Sequence, residues 1–311
     1  MKTKKSILLT LCLFFSLCLF SQGRWTTMRA TDTLSPQNDI ISIQFDKSGS
    51  MWVGTYCGIY KVVGNNWQLG GLYNSYIQAF FIDKNNVQWG GAWGSGLSKS
   101  TDGANWEREK SIIANCVNAV AADRKGNIWV GDWSSGIFSY KDGKWNTYKD
   151  DQIKLGDNTV TSIACDAKNN VWIGTYHGLT IYNESTGTKL FNADNSKLPN
   201  NDVYSLCVDS KDNLWVGTID GLVRVNGKGW TVYKSSNSGL PSNLILCVAA
   251  DAKGCVWVGT EKGVTCFDGK KWVSYAVENS PLIDNRVQTI SFRQNKVYIG
   301  TSKGISVLNR I

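Results

Sequence analysis

Few side chains in this sequence could carry acid–base chemistry. Its 311 residues contain one histidine, His177. Asp132 lies in the corresponding segment of a neighbouring sequence repeat, so an Asp132–His177 pair could act as general acid and base. Because the sequence has no G-x-S-x-G, phosphate-loop or H-E-x-x-H motif, we expect no catalytic residue, no metal and no cofactor. A polysaccharide lyase or hydrolase stays an alternative that depends on this pair.

Charge and cysteine content narrow the classes of partner. The formal net charge is +8, but three of the lysines lie in the first five residues and no basic cluster follows in the sequence. This distribution indicates no nucleic-acid partner. Seven cysteines follow the N-terminal segment without any C-x-x-C pair, so we expect small core residues rather than a zinc site. A disulfide between distant repeats stays open in an exported protein.

The N-terminus has the pattern of a secretory signal peptide. Lys2, Lys4 and Lys5 precede an apolar stretch at residues 7–20, which is short for a membrane-spanning helix. We expect residues 1–21 to be removed, which leaves no membrane span. The mature protein is then expected to be exported, whether periplasmic, cell-surface or secreted.

A short strand with a central aromatic residue recurs seven times. The aromatic residues lie 37 to 43 residues apart, at Trp52, Trp89, Trp129, Trp172, Trp215, Trp257 and Tyr298. Each repeat contains four strand-like segments, which in the third repeat are residues 117–122, 128–131, 136–140 and 144–148. Four short antiparallel strands per period of about forty residues are typical of a propeller blade. The sequence therefore predicts an all-β, seven-bladed β-propeller.

The two ends of the chain complement each other. The last repeat stops after its third strand, near Leu308, whereas Gly23–Met28 matches the fourth-strand pattern of Gly143–Tyr148. We therefore expect the N-terminal strand to close the last blade, because closure leaves no unpaired blade edge between the chain ends. Residues 22–311 are expected to form one domain.

An acidic residue recurs in the turn between the first and second strands of six repeats. It is replaced by Arg293 in the seventh, and otherwise occurs as Asp46, Asp83, Asp123, Asp166, Asp209 and Asp251. Recurrence at equivalent turns favours a role in capping backbone N–H groups over calcium binding.

Two of the 14 tryptophans are not explained by the repeat. Twelve occupy second- or fourth-strand positions, whereas Trp93 and Trp133 lie in the loops between second and third strands of blades 2 and 3. These two loops are longer than the others, and Tyr56 and Tyr176 occupy the same loop in the flanking blades. Strand alternation places these 2–3 loops on the same face as the linkers between blades. Such loops on a rigid scaffold are typical binding positions.

The repeat resembles a known family. The string N-x-W-x-G-T-x-x-G-[LI], preceded by D-x-x-[GN], is similar to the two-component regulator propeller repeat, and Asn195–Pro199 and Asn237–Pro241 resemble its inter-blade segments. In that family such propellers form periplasmic sensor regions of hybrid histidine kinases, many of which respond to oligosaccharides. The resemblance implies a recognition module. Without a second propeller, a following membrane helix, a kinase or a DNA-binding domain, we expect a stand-alone exported propeller.

We therefore predict a non-catalytic ligand-binding propeller that binds a glycan on the 2–3 loop face. Aromatic rings and small polar groups suit the apolar faces and hydroxyls of a sugar. The candidate contacts are Tyr56, Trp93, Ser95, Asp132, Trp133, Ser134, Tyr176 and His177. Two other interpretations stay open. The two tryptophans could merely cap the channel or pack on the next blade, or the same face could bind a protein partner.

Overall fold

Each sequence repeat folds into one four-stranded antiparallel sheet, and seven such sheets follow one another along the chain. The computed structural model describes residues 23–30, 36–148 and 152–310. The predicted fold class, a seven-bladed β-propeller with four antiparallel strands per blade, is confirmed. The predicted signal peptide, residues 1–21, lies outside the described residues.

The first strand in the chain, β1 (Arg24–Met28), is followed by a short 3-10 helix, Pro36–Asn38. Blade 1 contains β2 (Ile40–Phe45), β3 (Met51–Thr55), β4 (Gly58–Val63) and β5 (Asn66–Gly71). Blade 2 contains β6 (Ile77–Ile82), β7 (Gln88–Ala92), β8 (Gly96–Ser100) and β9 (Glu107–Arg108). Blade 3 contains β10 (Val117–Ala122), β11 (Ile128–Asp132), β12 (Ile137–Lys141) and β13 (Lys144–Tyr148).

The remaining blades repeat this order. Blade 4 contains β14 (Val160–Cys165), β15 (Val171–Thr175), β16 (Gly178–Asn183) and β17 (Gly187–Phe191). Blade 5 contains β18 (Val203–Val208), β19 (Leu214–Thr218), β20 (Gly221–Asn226) and β21 (Gly229–Tyr233). Blade 6 contains β22 (Ile245–Ala250), β23 (Val256–Thr260), β24 (Gly263–Phe267) and β25 (Trp272–Tyr275). Blade 7 contains β26 (Val287–Arg293), β27 (Lys296–Thr301) and β28 (Gly304–Asn309).

The N-terminal strand closes blade 7, as predicted from the two ends of the sequence. Strand β1 pairs antiparallel with β28, from Arg24 opposite Asn309 to Met28 opposite Ile305. Trp25 packs edge-on against Tyr275 of blade 6, with ring centroids 5.4 Å apart. The first and last blades are therefore joined through one continuous sheet.

The second strands form the centre of each blade. In blades 1 to 6 all five residues of this strand are buried, because each sheet is covered on both faces by its neighbours. The recurring tryptophan packs here, and its indole N–H donates to the recurring turn aspartate. In blade 5, for example, Trp215 Nε1 lies 2.9 Å from Asp209 Oδ2.

The turn aspartate also caps the backbone, as predicted. Oδ1 of Asp209 accepts a hydrogen bond from the N–H of Asn213 at 3.0 Å, and the other five turn acids accept the equivalent bond. One carboxylate thus fixes the turn through one oxygen and the core tryptophan through the other. Blade 7 has Arg293 and Tyr298 at these two positions and lacks this link.

Candidate functional site

The face that carries the 2–3 loops has a cavity of about 310 Å³ at its centre. All seven blades contribute one side chain from the first strand, namely Ile41, Gln78, Asn118, Thr161, Tyr204, Leu246 and Gln288. The remaining lining residues are Tyr56, Trp93, Trp133, Tyr176 and Arg286. The structure therefore brings the four predicted loop aromatics to one cavity.

A β-bulge in every first strand accounts for the ring of seven side chains. In blade 1 the pairing register between β2 and β3 shifts between Ile40 and Ser42, which leaves Ile41 unpaired. The same shift occurs at the equivalent position of the other six blades. A bulge re-aims the extra side chain, here into the channel mouth.

Sequence reasoning missed this ring, although the repeat contains a signal for it. The ring position lies between a β-branched residue and a small residue in every blade, yet its own identity varies from Ile to Tyr. A variable position between two restricted ones is what a ligand-facing site on a repeat scaffold requires.

Three polar members of the ring bond to the next blade. Asn118 Nδ2 donates to the carbonyl of Val160 at 3.2 Å, and Thr161 Oγ1 donates to the carbonyl of Val203 at 2.5 Å. Gln288 Nε2 donates across the closure to the carbonyl of Ile40 at 3.2 Å. These bonds fix the floor of the cavity.

The aromatic side chains form a continuous arc along one side of the cavity. Trp93 and Trp133 meet edge to face with centroids 5.3 Å apart, and Trp133 meets Tyr176 at 5.6 Å. Tyr176 in turn contacts Tyr204 at 5.7 Å. Trp93 and Trp133 remain 48% and 37% exposed, which is unusual for side chains of this size.

The loop backbone holds the two tryptophans in place. The N–H of Trp93 donates to the carbonyl of Tyr76 at 2.9 Å, and the N–H of Trp133 donates to the carbonyl of Cys116 at 2.8 Å. Both acceptors belong to the linkers that precede the first strands of blades 2 and 3. The exposed rings therefore project from backbone that is tied to the neighbouring linker.

Asp132 does not face the cavity, which corrects its predicted role as a polar anchor. It is fully buried. Its Oδ2 accepts from the N–H of Cys116 at 2.7 Å, and its Oδ1 accepts from the N–H groups of Ser134 and Ser135 at 2.9 and 2.8 Å. In most other blades a buried threonine occupies this position, so the aspartate serves the lengthened loop as an internal cap.

His177 lies on the rim, outside the cavity lining. Its Nδ1 lies 2.5 Å from Oδ2 of Asp157, and its side chain is 68% exposed. The suggested Asp132–His177 pair is therefore wrong as a pairing, since each residue contacts other groups. Ser95 and Ser134 are also exposed on these loops without lining the cavity, and the Ser134 hydroxyl lies 3.3 Å from Asp132 Oδ1.

The remaining side of the mouth is charged. Arg286 is exposed there, near Asp39. Burial raises the pKa of Asp39, although a hydrogen bond from Gln288 and the Arg286 charge act in the opposite direction. Burial, together with the nearby Asp39, raises the pKa of Tyr56, and burial with Tyr204 raises that of Tyr176. At neutral pH both phenols are therefore uncharged and able to donate hydrogen bonds.

Metal-ligating and thiol groups are dispersed in the part of the chain that the structure describes. No three His, Cys, Asp or Glu side chains gather there as a metal site. All seven cysteines after residue 22 are free thiols, and Cys247 is buried. Over the same residues no helix has the length and apolar character needed to cross a membrane.

The two-component regulator propeller family matches the chain in five segments, at residues 35–57, 111–134, 154–177, 197–220 and 239–262. These segments belong to blades 1, 3, 4, 5 and 6. The match confirms the resemblance that the repeat pattern predicted. No curated protein matches the sequence.

Solved structures share the fold at low sequence identity. The extracellular domain of a protein described as a hybrid two-component system from B. thetaiotaomicron is 23% identical, with a TM-score of 0.79 over 92% of this chain and 41% of its own length. Virginiamycin B lyase from Staphylococcus aureus is 14% identical, with a TM-score of 0.74 over 93% of this chain and 99% of its own. PorZ, a surface component of the type-IX secretion system of Porphyromonas gingivalis, is 20% identical, with a TM-score of 0.67 over 88% of this chain and 46% of its own.

Proposed function

We propose that this chain, whose blades are two-component regulator propeller repeats, is an exported, non-catalytic recognition propeller that binds a glycan at the channel mouth. The observation that carries the proposal is the aromatic arc, in which two tryptophans stay largely exposed beside a cavity of about 310 Å³. The N-terminal apolar stretch at residues 7–20 supports export.

The chemistry of the lining suits a sugar. Aromatic faces pack against the C–H groups of a pyranose ring, while polar groups at the rim of such a platform bind its hydroxyls. Trp93 and Trp133 would supply the faces, and the tyrosine hydroxyls with Gln78 and Arg286 would supply the polar contacts. Asp132 is buried and is no longer part of the proposed contact set.

Several features argue against the lyase or hydrolase alternative. His177 lies outside the cavity lining and contacts Asp157, while Asp132 caps its own loop. The virginiamycin lyase shares only the fold at this level of identity. Turnover of a polysaccharide that is lost in His177→Ala would overturn the non-catalytic assignment.

Intrinsic tryptophan fluorescence during titration with a glycan panel tests the proposal. We expect a saturable change for the binding glycan, because Trp93 and Trp133 are accessible to a ligand. The Trp93→Ala, Trp133→Ala double variant should lose both the change and the binding. Tyr73→Ala is the matched control, since Tyr73 is 62% exposed on the same face but does not line the cavity. Equal loss in both variants, or binding that survives the double substitution, would contradict a site at the channel mouth.

A protein partner on the same face is the second candidate. The exposed apolar surface extends beyond the cavity, because Tyr76 and Ile113 in the blade linkers are 56% and 80% exposed. A small oligosaccharide in the cavity would leave Ile113 uncovered, whereas a protein interface would bury it. Ile113→Asp should therefore abolish binding of a protein partner and leave glycan binding unchanged.

A further inference from the structure

The face opposite the aromatic cavity carries a ring of basic side chains. The turns between first and second strands all lie on this face, and each blade places an exposed lysine in or beside its turn. These residues are Lys47, Lys84, Lys125, Lys168, Lys211, Lys253 and Lys296. They are about forty residues apart in the sequence, so the charge distribution along the chain shows no cluster. The propeller gathers them into one ring.

None of these seven lysines forms an ion pair within the part of the chain that the structure describes. The acids nearest to them are the turn aspartates, which use their oxygens for turn N–H groups and core indoles. Asp209, for example, accepts from Asn213, Lys211 N–H and the Trp215 indole. The aspartates therefore lie inside the turns, and the exposed tips of the inner turns are positive.

The outer turns of the same face are closer to neutral. Lys141 and Glu184 form an ion pair at 3.1 Å, and Asp268 accepts from the N–H groups of Lys270 and Lys271 in its own turn. The excess positive charge thus lies in the inner ring around the channel.

Both ends of the propeller lie on this basic face. Strand β1 begins at Arg24 and β28 ends at Asn309, and these two residues pair at the edge of the sheet next to the lysine turns. The residues that precede Gly23 in the sequence, with their three lysines and apolar stretch, therefore join the fold on the basic face.

We propose that the seven-lysine ring docks the propeller onto an anionic phospholipid surface, with the aromatic cavity directed away from it. A planar ring of unpaired cations complements a planar array of phosphates, and basic residues near such a surface each contribute an attraction that falls off within a Debye length. This inference is independent of the ligand bound in the cavity.

Vesicle co-sedimentation tests the proposal, with the protein beginning at Gln22, which includes every strand of the seven blades. We expect binding to vesicles that contain phosphatidylglycerol, none to phosphatidylcholine alone, and release at high salt. The variant Lys47→Glu, Lys168→Glu, Lys253→Glu should bind at least about a hundredfold more weakly, since each basic residue contributes about a fivefold factor. Replacement of the same lysines by Gln provides a milder variant if the Glu variant does not fold.

The matched control reverses three exposed lysines on the cavity face, Lys110→Glu, Lys197→Glu, Lys262→Glu. None of these lysines forms an ion pair with another described residue, and the net charge changes equally. This control should keep vesicle binding. Equal loss in both triple variants would show an effect of net charge alone and overturn the proposal. Absence of vesicle binding, with binding to an acidic polysaccharide or nucleic acid instead, would overturn it as well.

An orientation measurement adds a second readout. Trp93 and Trp133 are the exposed tryptophans of the described chain, so acrylamide quenching reports on the cavity face. We expect quenching to be unchanged when the protein is bound to anionic vesicles. Protection from acrylamide would place the cavity face against the lipid and contradict the proposed orientation.

Discussion

The tryptophans of the second strands and the tryptophans of the lengthened loops occupy opposite environments. Trp257 in β23 is 2% exposed, stacks on Tyr275 and donates its indole N–H to Asp251 at 3.2 Å. Trp93, in contrast, is 48% exposed, and its ring meets Trp133 edge to face at the cavity. The same residue type serves the core in one region and remains available to a ligand in the other.

The difference shows how a repeat protein separates stability from recognition. Positions that recur in every blade are fixed by packing between blades, so their side chains are satisfied within the fold. Positions that depart from the repeat, such as the lengthened loops of blades 2 and 3, are free to contact other molecules.

The largest effect is expected in the core. Trp257→Ala should lower the free energy of unfolding by about 3–5 kcal/mol, because it leaves a cavity between blades and deprives Asp251 of a donor. Urea unfolding at pH 7 measures this loss. Trp257→Phe, which keeps most of the ring, is the control and should lose less. A loss below about 1 kcal/mol for Trp257→Ala would contradict the assignment of these tryptophans to the core.

A smaller effect is expected for the carboxylate that holds the core indole. Burial tends to raise the pKa of Asp209, but hydrogen bonds from Trp215, Asn213 and Lys211 outweigh it and lower the pKa. A lowered folded-state pKa contributes stability that is present above the unfolded pKa of about 3.9 and is lost as pH falls through the folded pKa. Asp209→Asn should therefore cost about 1–2 kcal/mol at pH 7 and less at pH 3.

Urea unfolding of the wild type and of Asp209→Asn at both pH values measures this difference. Comparison of the two proteins at each pH removes the contribution of the other acids. A cost that stays constant or grows between pH 7 and pH 3 would show that the ionised carboxylate does not stabilise the blade.

The smallest effect on stability is expected at the cavity. Trp93→Ala combined with Trp133→Ala should lower the free energy of unfolding by less than about 1.5 kcal/mol, since both rings are partly exposed and lose mainly their mutual contact. Thermal unfolding measures it beside Trp257→Ala. A loss as large as that of the core variant would show that the loop tryptophans are structural, which would remove the basis of the proposed site.

Most of the fold could be predicted from the repeat, because each blade repeats the same local pattern. The fourth strand of blade 3, Lys144–Tyr148, has the predicted bounds, and its third strand, Ile137–Lys141, is shifted by one residue. The closing strand was also predictable, because its pattern at Gly23–Met28 matches the segment that the last repeat lacks.

The site was predictable only in part. Loop length and residue type identified Trp93 and Trp133, and Tyr56 and Tyr176 followed from the equivalent positions in flanking blades. The burial of Asp132 could not be predicted, because its oxygens bond to Cys116 across a linker that the sequence does not place. The ring position of Gln288 depends on a bulge, which re-aims one side chain without changing the strand pattern.

The closing blade also determines how the ring would respond to a mechanical load. Arg24 and Asn309, the two ends of β1 and β28, pair with each other at the same edge of the sheet. A force that pulls the chain ends apart would therefore break the pairs one after another, from Arg24–Asn309 toward Met28–Ile305, as a zipper opens. Had the ends lain at opposite edges, the whole strand pair would have resisted together in shear. The propeller should thus open at low force from its N-terminal strand, while the six blades that are not held by chain ends stay folded.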